Sequence, residues 1–267
     1  MIGVFDSGIG GLTAVKALID LMPDCDIVYF GDTARVPYGT KSKEVIDRYA
    51  LQDCRFLISQ NVNAILVACG SVSSNSLPVL NNTFDLPIVG VVEAASKRAY
   101  ECAVEGNGVI AVLGTSATIK SGAYEKEIKK YGSNVKIISR ACPLLVPLVE
   151  NGRTSVDDSL ANIAVAEYLE DIIPKKPSAV ILGCTHYPLL ERIISLFLPD
   201  SELINSSYEA AEHLCYLIDE KGINPGNGGK RIFYVSDDPE SFSKNAKAFL
   251  GKDISDRVFK TDIEQLM

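Results

Sequence analysis

Gly183-Cys184-Thr185-His186-Tyr187-Pro188 follows the apolar run Ala179-Val180-Ile181-Leu182. Four aliphatic residues with no interposed charge read as a strand buried on both faces, the kind found in parallel sheets. Earlier in the chain, Asn63-Ala64-Ile65-Leu66-Val67-Ala68-Cys69-Gly70-Ser71 repeats the layout: an aliphatic run, a small residue, a cysteine, then glycine or threonine and a hydrogen-bonding group. In open α/β sheets, ligands gather beyond the carboxyl ends of the strands. A thiol at the tip of each of two similar strands suggests one site built from two related halves.

Strand and helix patterns alternate through the rest of the chain. Ile2 to Phe5 reads as a strand, followed by Asp6-Ser7-Gly8-Ile9-Gly10-Gly11 and a helix with Leu12, Val15, Leu18 and Ile19 on one face. Those glycines do not fit G-x-G-x-x-G and no Gly-Lys-Ser/Thr follows, which argues against a nucleotide loop. Asp6 is either a helix N-cap or a site carboxylate, and its spacing does not choose between them. Residues 26–31 read as a strand, 32–40 as a long loop that lines a site, and 43–59 as a helix. Residues 64–68 and 88–90 are strands, and about 93–103 a helix. A turn at 105–108 precedes a second series. Its strands fall at 109–115, 135–139 and 179–182, with a helix over 156–172. Residues 141–150 carry Pro143 and Pro147 and cannot form one regular helix. Pro188 suits the first turn of a helix. Short strands at 203–205 and 231–236 and helices over 207–220 and after Pro239 close the chain.

This alternation predicts an α/β fold with mainly parallel sheets, and the turn at 105–108 is a fair domain boundary. Residues 1–95 with 207–267 are expected to form one domain and residues 96–206 the other. No tandem repeat of the solenoid kind appears.

The chain has 267 residues and a net charge of −8. That acidity leaves no basic footprint for nucleic acid or an anionic membrane. The N-terminus lacks the basic and apolar regions of a signal peptide, and no apolar run approaches the roughly 20 residues of a membrane span. A cytoplasmic location is expected. The seven cysteines are scattered, with no Cys-x-x-Cys, and read as free thiols in a reducing compartment. With two histidines and no close Cys/His spacing, no metal site is expected.

Cys25, Cys54, Cys102, Cys142 and Cys215 read as core residues. Cys69 and Cys184 differ because a strand tip faces ligand. One such thiol would suggest a covalent nucleophile. Two in matching halves suggest a base on one face of a substrate carbon and an acid on the other. Such a pair inverts a stereocentre and needs no metal, flavin or pyridoxal. A free thiol has a pKa of about 8.5, so a base thiol needs a partner. His186 is the candidate beside Cys184 and Asp6 the candidate on the other side. Glu150 is a further one that nothing local places, and His213 reads as structural.

Asp6-Ser7-Gly8-Ile9-Gly10-Gly11, Pro37-Tyr38-Gly39, Val67-Ala68-Cys69, Leu113-Gly114-Thr115-x-x-Thr118, Cys142-Pro143-Leu144-x-x-Pro147-x-x-Glu150 and Gly183-Cys184-Thr185-His186-Tyr187-Pro188-Leu189 together resemble the glutamate racemases. The resemblance covers nearly the whole chain, in order. It implies two pseudo-symmetric α/β domains with the active site at their interface, and cofactor-independent interconversion of L- and D-glutamate, supplying D-glutamate for peptidoglycan. It also implies a small-molecule substrate as the partner, with no nucleic acid or membrane. A homodimer is compatible with the sequence and not required by it. Carried over, Cys69 and Cys184 are the acid/base thiols, assisted by Asp6, His186 and Glu150. Asp6, Ser7, Pro37, Tyr38, Gly39, Thr185 and His186 line the substrate site, with Gly70, Ser71 and Thr118 in or beside it. One departure stands out: the family usually has Cys-Asn-Thr where this chain has Cys69-Gly70-Ser71. The absent amide would cost a substrate hydrogen bond worth about 1.5–3 kcal/mol, unless Asn75 or a water compensates. That departure leaves an aspartate or broad acidic amino-acid racemase, or a non-catalytic binder of acidic amino acids, as alternatives.

Overall fold

The structure is a computed structural model and describes residues 1–263. The last four residues assigned above to the first domain, 264–267, lie outside the described residues. The first series runs β1 (Ile2–Asp6), α1 (Leu12–Leu21), β2 (Ile27–Gly31), α2 (Lys43–Ser59), β3 (Ala64–Val67), α3 (Gly70–Asn75), α4 (Leu77–Thr83), β4 (Ile88–Gly90) and α5 (Val92–Glu105). The second runs β5 (Val109–Gly114), α6 (Ser116–Ser121), α7 (Ala123–Tyr131), β6 (Lys136–Ala141), α8 (Leu145–Glu150), α9 (Ser159–Leu169), β7 (Ala179–Leu182), α10 (Glu191–Phe197), β8 (Glu202–Asn205) and α11 (Ser206–Lys221). β9 (Arg231–Val235), α12 (Pro239–Leu250) and β10 (Val258–Lys260) follow.

Among the described residues the strands form two sheets, one ordered β10-β9-β2-β1-β3-β4 and the other β6-β5-β7-β8, and the pairings are parallel. The order β2-β1-β3-β4 recurs as β6-β5-β7-β8. Each β1-type strand therefore has its chain leave to one side and return on the other, which opens a crevice at the carboxyl ends. The register repeats too. Ala68 N donates to Phe5 O at 3.0 Å, and Gly183 N donates to Leu113 O at 2.8 Å. The next residue in each case is the cysteine, so Cys69 and Cys184 hold equivalent places.

β1, β2, β3 and β7 are buried along their whole length, as their unbroken apolar runs require. A single apolar cluster runs from Ile2, Val4, Leu12 and Val15 through Ala211 and Leu214 of α11 to Leu182, Tyr187 and Leu190. It locks the two sheets so that their carboxyl ends face each other. The 95/96 division expected from the sequence falls inside α5, which continues unbroken to Glu105.

Several elements differ from the expectation. Residues 32–40 contain short 3₁₀ turns at Thr33–Arg35 and Tyr38–Thr40. The helix expected over 156–172 is shorter, because Asp158 caps it by accepting the Ala161 N–H at 3.0 Å. Pro147 sits in the first turn of α8, where its missing N–H leaves no bond unmade. The short helices α3, α4 and α7, and the edge strand β10, are not among the elements the sequence predicts, whereas α6 begins within the hydroxyl-rich stretch 114–118. Among the described residues no helix is long and apolar enough to cross a membrane.

Candidate active site

The facing strand ends enclose a cavity of about 370 Å³, within the roughly 300–1,000 Å³ typical of small-molecule sites. Asp6, Ser7 and Gly8 enter it from the end of β1 and residues 36–40 from the loop after β2. Cys69, Gly70 and Ser71 enter from β3, Thr115 and Ser116 from β5, and Cys184, Thr185 and His186 from β7. Pro143, Val146, Pro147 and Glu150 close the side reached after β6. The lining holds no lysine or arginine. Carboxylates of a ligand would therefore meet hydroxyls, backbone N–H groups and the His186 ring.

The surroundings of the two thiols differ. On the β7 side, His186 Nδ1 lies 3.9 Å from Cys184 Sγ and 3.3 Å from Thr185 Oγ1, and Nε2 lies 3.0 Å from Glu150 Oε1. Burial opposes a charged imidazole. Its contacts with Cys184 and Glu150, helped by the nearby Asp6 charge, outweigh that and push it up to about 10. At neutral pH the ring is then an imidazolium with both nitrogens donating. Phe249 of α12 packs edge-on against it, with centroids 5.5 Å apart, and holds its plane. Cys184 thus has a cation and proton donor beside it.

On the β3 side, Cys69 Sγ lies 3.6 Å from Ser7 Oγ. Burial and the Asp6 charge push this thiol up to about 12, against smaller help from the N–H groups of Val72 and Ser7. Cys69 is therefore a thiol at rest. Asp6 is itself raised, first by burial, although His186 and the N–H groups of Gly8 and Gly11 pull the other way. Its Oδ2 accepts the Gly8 N–H at 3.0 Å, and its buried Oδ1 has no hydrogen-bond partner among the described residues. An unpaired buried carboxylate oxygen is costly, and this one belongs to a residue that lines the cavity.

A second buried network stands behind the cavity wall. The Tyr38 hydroxyl donates to Asp32 Oδ2 and, at 3.2 Å, to Asp53 Oδ2. Arg35 binds Asp32 at 2.6 Å and Asp53 at 3.1 Å and stacks over Tyr49 at 4.0 Å. The network anchors residues 36–40 through the Tyr38 hydroxyl. Thr13 ties the two halves, with its Oγ1 within 2.9 Å of Gly10 O, 3.2 Å of Thr185 O and 3.1 Å of Ser207 Oγ.

The sequence pattern described as Asp/Glu/hydantoin racemase matches residues 13–213. The chain belongs to this racemase family. It is 42% identical to a glutamate racemase of Persephonella marina over 95% of this chain and 94% of the other. The crystal structure of glutamate racemase from Francisella tularensis in complex with D-glutamate superposes with a TM-score of 0.90 at 36% identity, covering 99% of this chain and 98% of that one. The Thermus thermophilus glutamate racemase structure, in complex with β-chloro-D-alanine, gives 0.88 at 41%, covering 99% and 97%.

Of the site residues expected in this racemase from its sequence, the structure brings Asp6, Ser7, Pro37, Tyr38, Gly39, Cys69, Gly70, Ser71, Glu150, Cys184, Thr185 and His186 to one cavity. Glu150, which nothing local placed, arrives because α8 carries it to His186. Thr118 is absent from the lining: its buried hydroxyl lies behind Thr115, accepting from Thr115 Oγ1 at 3.0 Å. Asn75 does not replace an amide at position 70. Its side chain donates to Ser71 O at 2.8 Å and Ala117 O at 3.5 Å. Thr115, Ser116, Pro143 and Pro147 were not singled out as site residues, though three of them lie inside the motifs quoted above.

Proposed function

We propose that this racemase interconverts L- and D-glutamate without a cofactor, by proton transfer between Cα and the two thiols, supplying D-glutamate for peptidoglycan in the cytoplasm. The domains are read as residues 1–95 with 207–267, of which 264–267 lie outside the described residues, and residues 96–206. The observation that supports the mechanism is the pair of cysteines at equivalent strand tips in one cavity, with opposite electrostatic settings. The sulfur next to the imidazolium accepts the Cα proton as a thiolate. The resulting carbanion takes the S–H proton of Cys69 on its opposite face. One C–H bond breaks and one forms, and the thiolate passes from Cys184 to Cys69. Reaction of the other enantiomer runs the same steps backwards. Asp6 Oδ1 is the acceptor for the substrate ammonium, and the hydroxyls of Ser7, Ser71, Thr115 and Thr185 face its carboxylates.

The test is incubation with L- and D-glutamate separately in deuterated water, following optical rotation and Cα deuteration by NMR. Rotation should decay from both sides, with deuterium in the inverted product. Cys69→Ser and Cys184→Ser should each slow inversion by about 10²–10⁴-fold, the usual worth of a positioned acid or base. Inversion at the unaltered rate in both variants would eliminate the two-thiol mechanism. Turnover of aspartate with silence on glutamate would change the substrate.

A further inference from the structure

The loops after β3 and β7 meet main chain to main chain. A Cβ placed on Gly70 would stand 2.3 Å from the Gly183 carbonyl oxygen and 3.3 Å from its carbon. Folded proteins do not hold a Cβ at such a distance, so with the loops in these positions only glycine fits at 70. The obstacle is a carbonyl and cannot rotate aside. Gly183 is crowded in turn: a Cβ on it would lie 2.8 Å from the Leu113 carbonyl oxygen and 3.1 Å from the Tyr124 ring. Its N–H is also bonded to Leu113 O at 2.8 Å. A second tight point lies on the same seam, where a Cβ on Gly39 would stand 2.9 Å from Thr115 Cβ. Gly70 follows Cys69 and Gly183 precedes Cys184, so the touching glycines are each one residue from a thiol.

We infer that Gly70 is the spacer that sets the separation of the two thiols, a positioning residue for inversion rather than the site of a missing substrate contact. The inference rests on the two-thiol reading above. An asparagine side chain at 70 would not simply add an amide to the cavity, because its Cβ would first have to push the two halves apart. Inversion requires both sulfurs to reach opposite faces of one carbon at about 3–3.5 Å. Relaxing a 2.3 Å approach to an ordinary 3.4 Å contact opens the seam by about 1 Å, and a misplacement of that size costs roughly 10²-fold in rate. Exchange of the Cα proton with retention of configuration needs one sulfur on one face, and a wider seam leaves it largely intact.

The experiment compares wild type, Gly70→Ala, Gly70→Asn and Gly39→Ala in deuterated water, measuring inversion and retained-configuration deuteration of glutamate together. Wild type is measured first: no inversion there would defeat the two-thiol reading itself, whereas the variants test only the spacer. Gly70→Ala and Gly70→Asn should lose about 100-fold in inversion kcat, with KM changed less than about threefold and retention exchange falling much less. Gly39→Ala, which needs a smaller displacement, should show the same split at about tenfold. It carries the test alone if the position-70 variants do not fold. Wild-type inversion in the folded variants, or a parallel fall of inversion and exchange, would overturn the inference. A gain in kcat/KM with Gly70→Asn would also overturn it, in favour of a missing amide.

Discussion

Replacing Glu150 with glutamine keeps an acceptor 3.0 Å from His186 Nε2 and removes its charge. A hydrogen bond to a charged partner is worth about 1.5–3 kcal/mol and a neutral one about 0.5–1.5, a difference near 1 kcal/mol. The Glu150 side chain is 46% exposed, and solvent screening trims the difference further. At 1.36 kcal/mol per pKa unit, His186 should fall by roughly half a unit from its position near 10. The sign follows from losing a negative charge beside an imidazolium. If the imidazolium is the active form, the alkaline limb of kcat/KM should move down by the same half unit. Because the equilibrium constant between enantiomers is one, kcat/KM must fall equally in both directions, which checks the kinetics internally. The direct assay is ¹⁵N-edited NMR of the imidazoles. The chain has two histidines, and His213→Gln assigns the second. A His186 titration that stays in place or moves up would refute the electrostatic pairing. Linkage adds a stability check. A raised His186 stabilises the fold in full below its unfolded value of about 6.5, and this is lost as pH rises through about 10. The variant's stability deficit should therefore be largest near neutrality and below, and vanish above pH 10.

The buried network behind Tyr38 predicts an asymmetry. Arg35→Met strands the fully buried Asp32, which Arg35 binds at 2.6 Å, and should cost about 3–5 kcal/mol in urea unfolding; a loss under 1 kcal/mol would show that Asp32 does not depend on this cation. Burial and the Asp32 charge hold Asp53 well above the usual carboxylate range, so Asp53→Asn replaces a group already favoured in its protonated form. Wild type loses stability as pH rises from the unfolded value of about 3.9 through the raised folded one. Asp53→Asn does not, so its stability relative to wild type should improve from pH 5 to 8, and a relative decline would contradict the assignment. Tyr29→Phe removes a buried donor to Gly8 O at 2.6 Å and should cost about 1–3 kcal/mol, read as a fall of roughly 2–4 °C in Tm per kcal/mol. An unchanged Tm would mean that water replaces the phenol.

Much of the site was legible because its signals are local. An apolar run that ends in Ala-Cys or Gly-Cys marks a buried strand and its tip without reference to anything distant, as for β3 and β7, and β1 and β5 show the unbroken apolar run without the cysteine. The thirteen expected site residues include twelve that reach the cavity; most sit within a few residues of a strand end, whereas α8 carries Glu150 in and the loop after β2 carries Pro37, Tyr38 and Gly39. Thr118 fell behind the wall because one turn of α6 rotates it there, and a three-residue spacing cannot say which turn faces inward. The helices α3 and α4 are not legible for a related reason. Gly70-Ser71-Val72-Ser73 has little intrinsic preference for a helix, and packing against the opposite half decides it.

The amino-acid sequence by itself determined the alternation of strands and helices, the two cysteine-tipped strands and the membership of the family, because burial patterns and motifs are written over a few neighbouring residues. Only the tertiary structure decided that Glu150 meets His186, that Arg35 holds two buried carboxylates behind Tyr38, and that Gly70 rests on the Gly183 carbonyl. Apart from Arg35 and Asp32, which are three positions apart, those contacts join residues from 18 to more than 100 positions apart, and their distances depend on how two sheets are locked by a shared core. No local pattern encodes that distance.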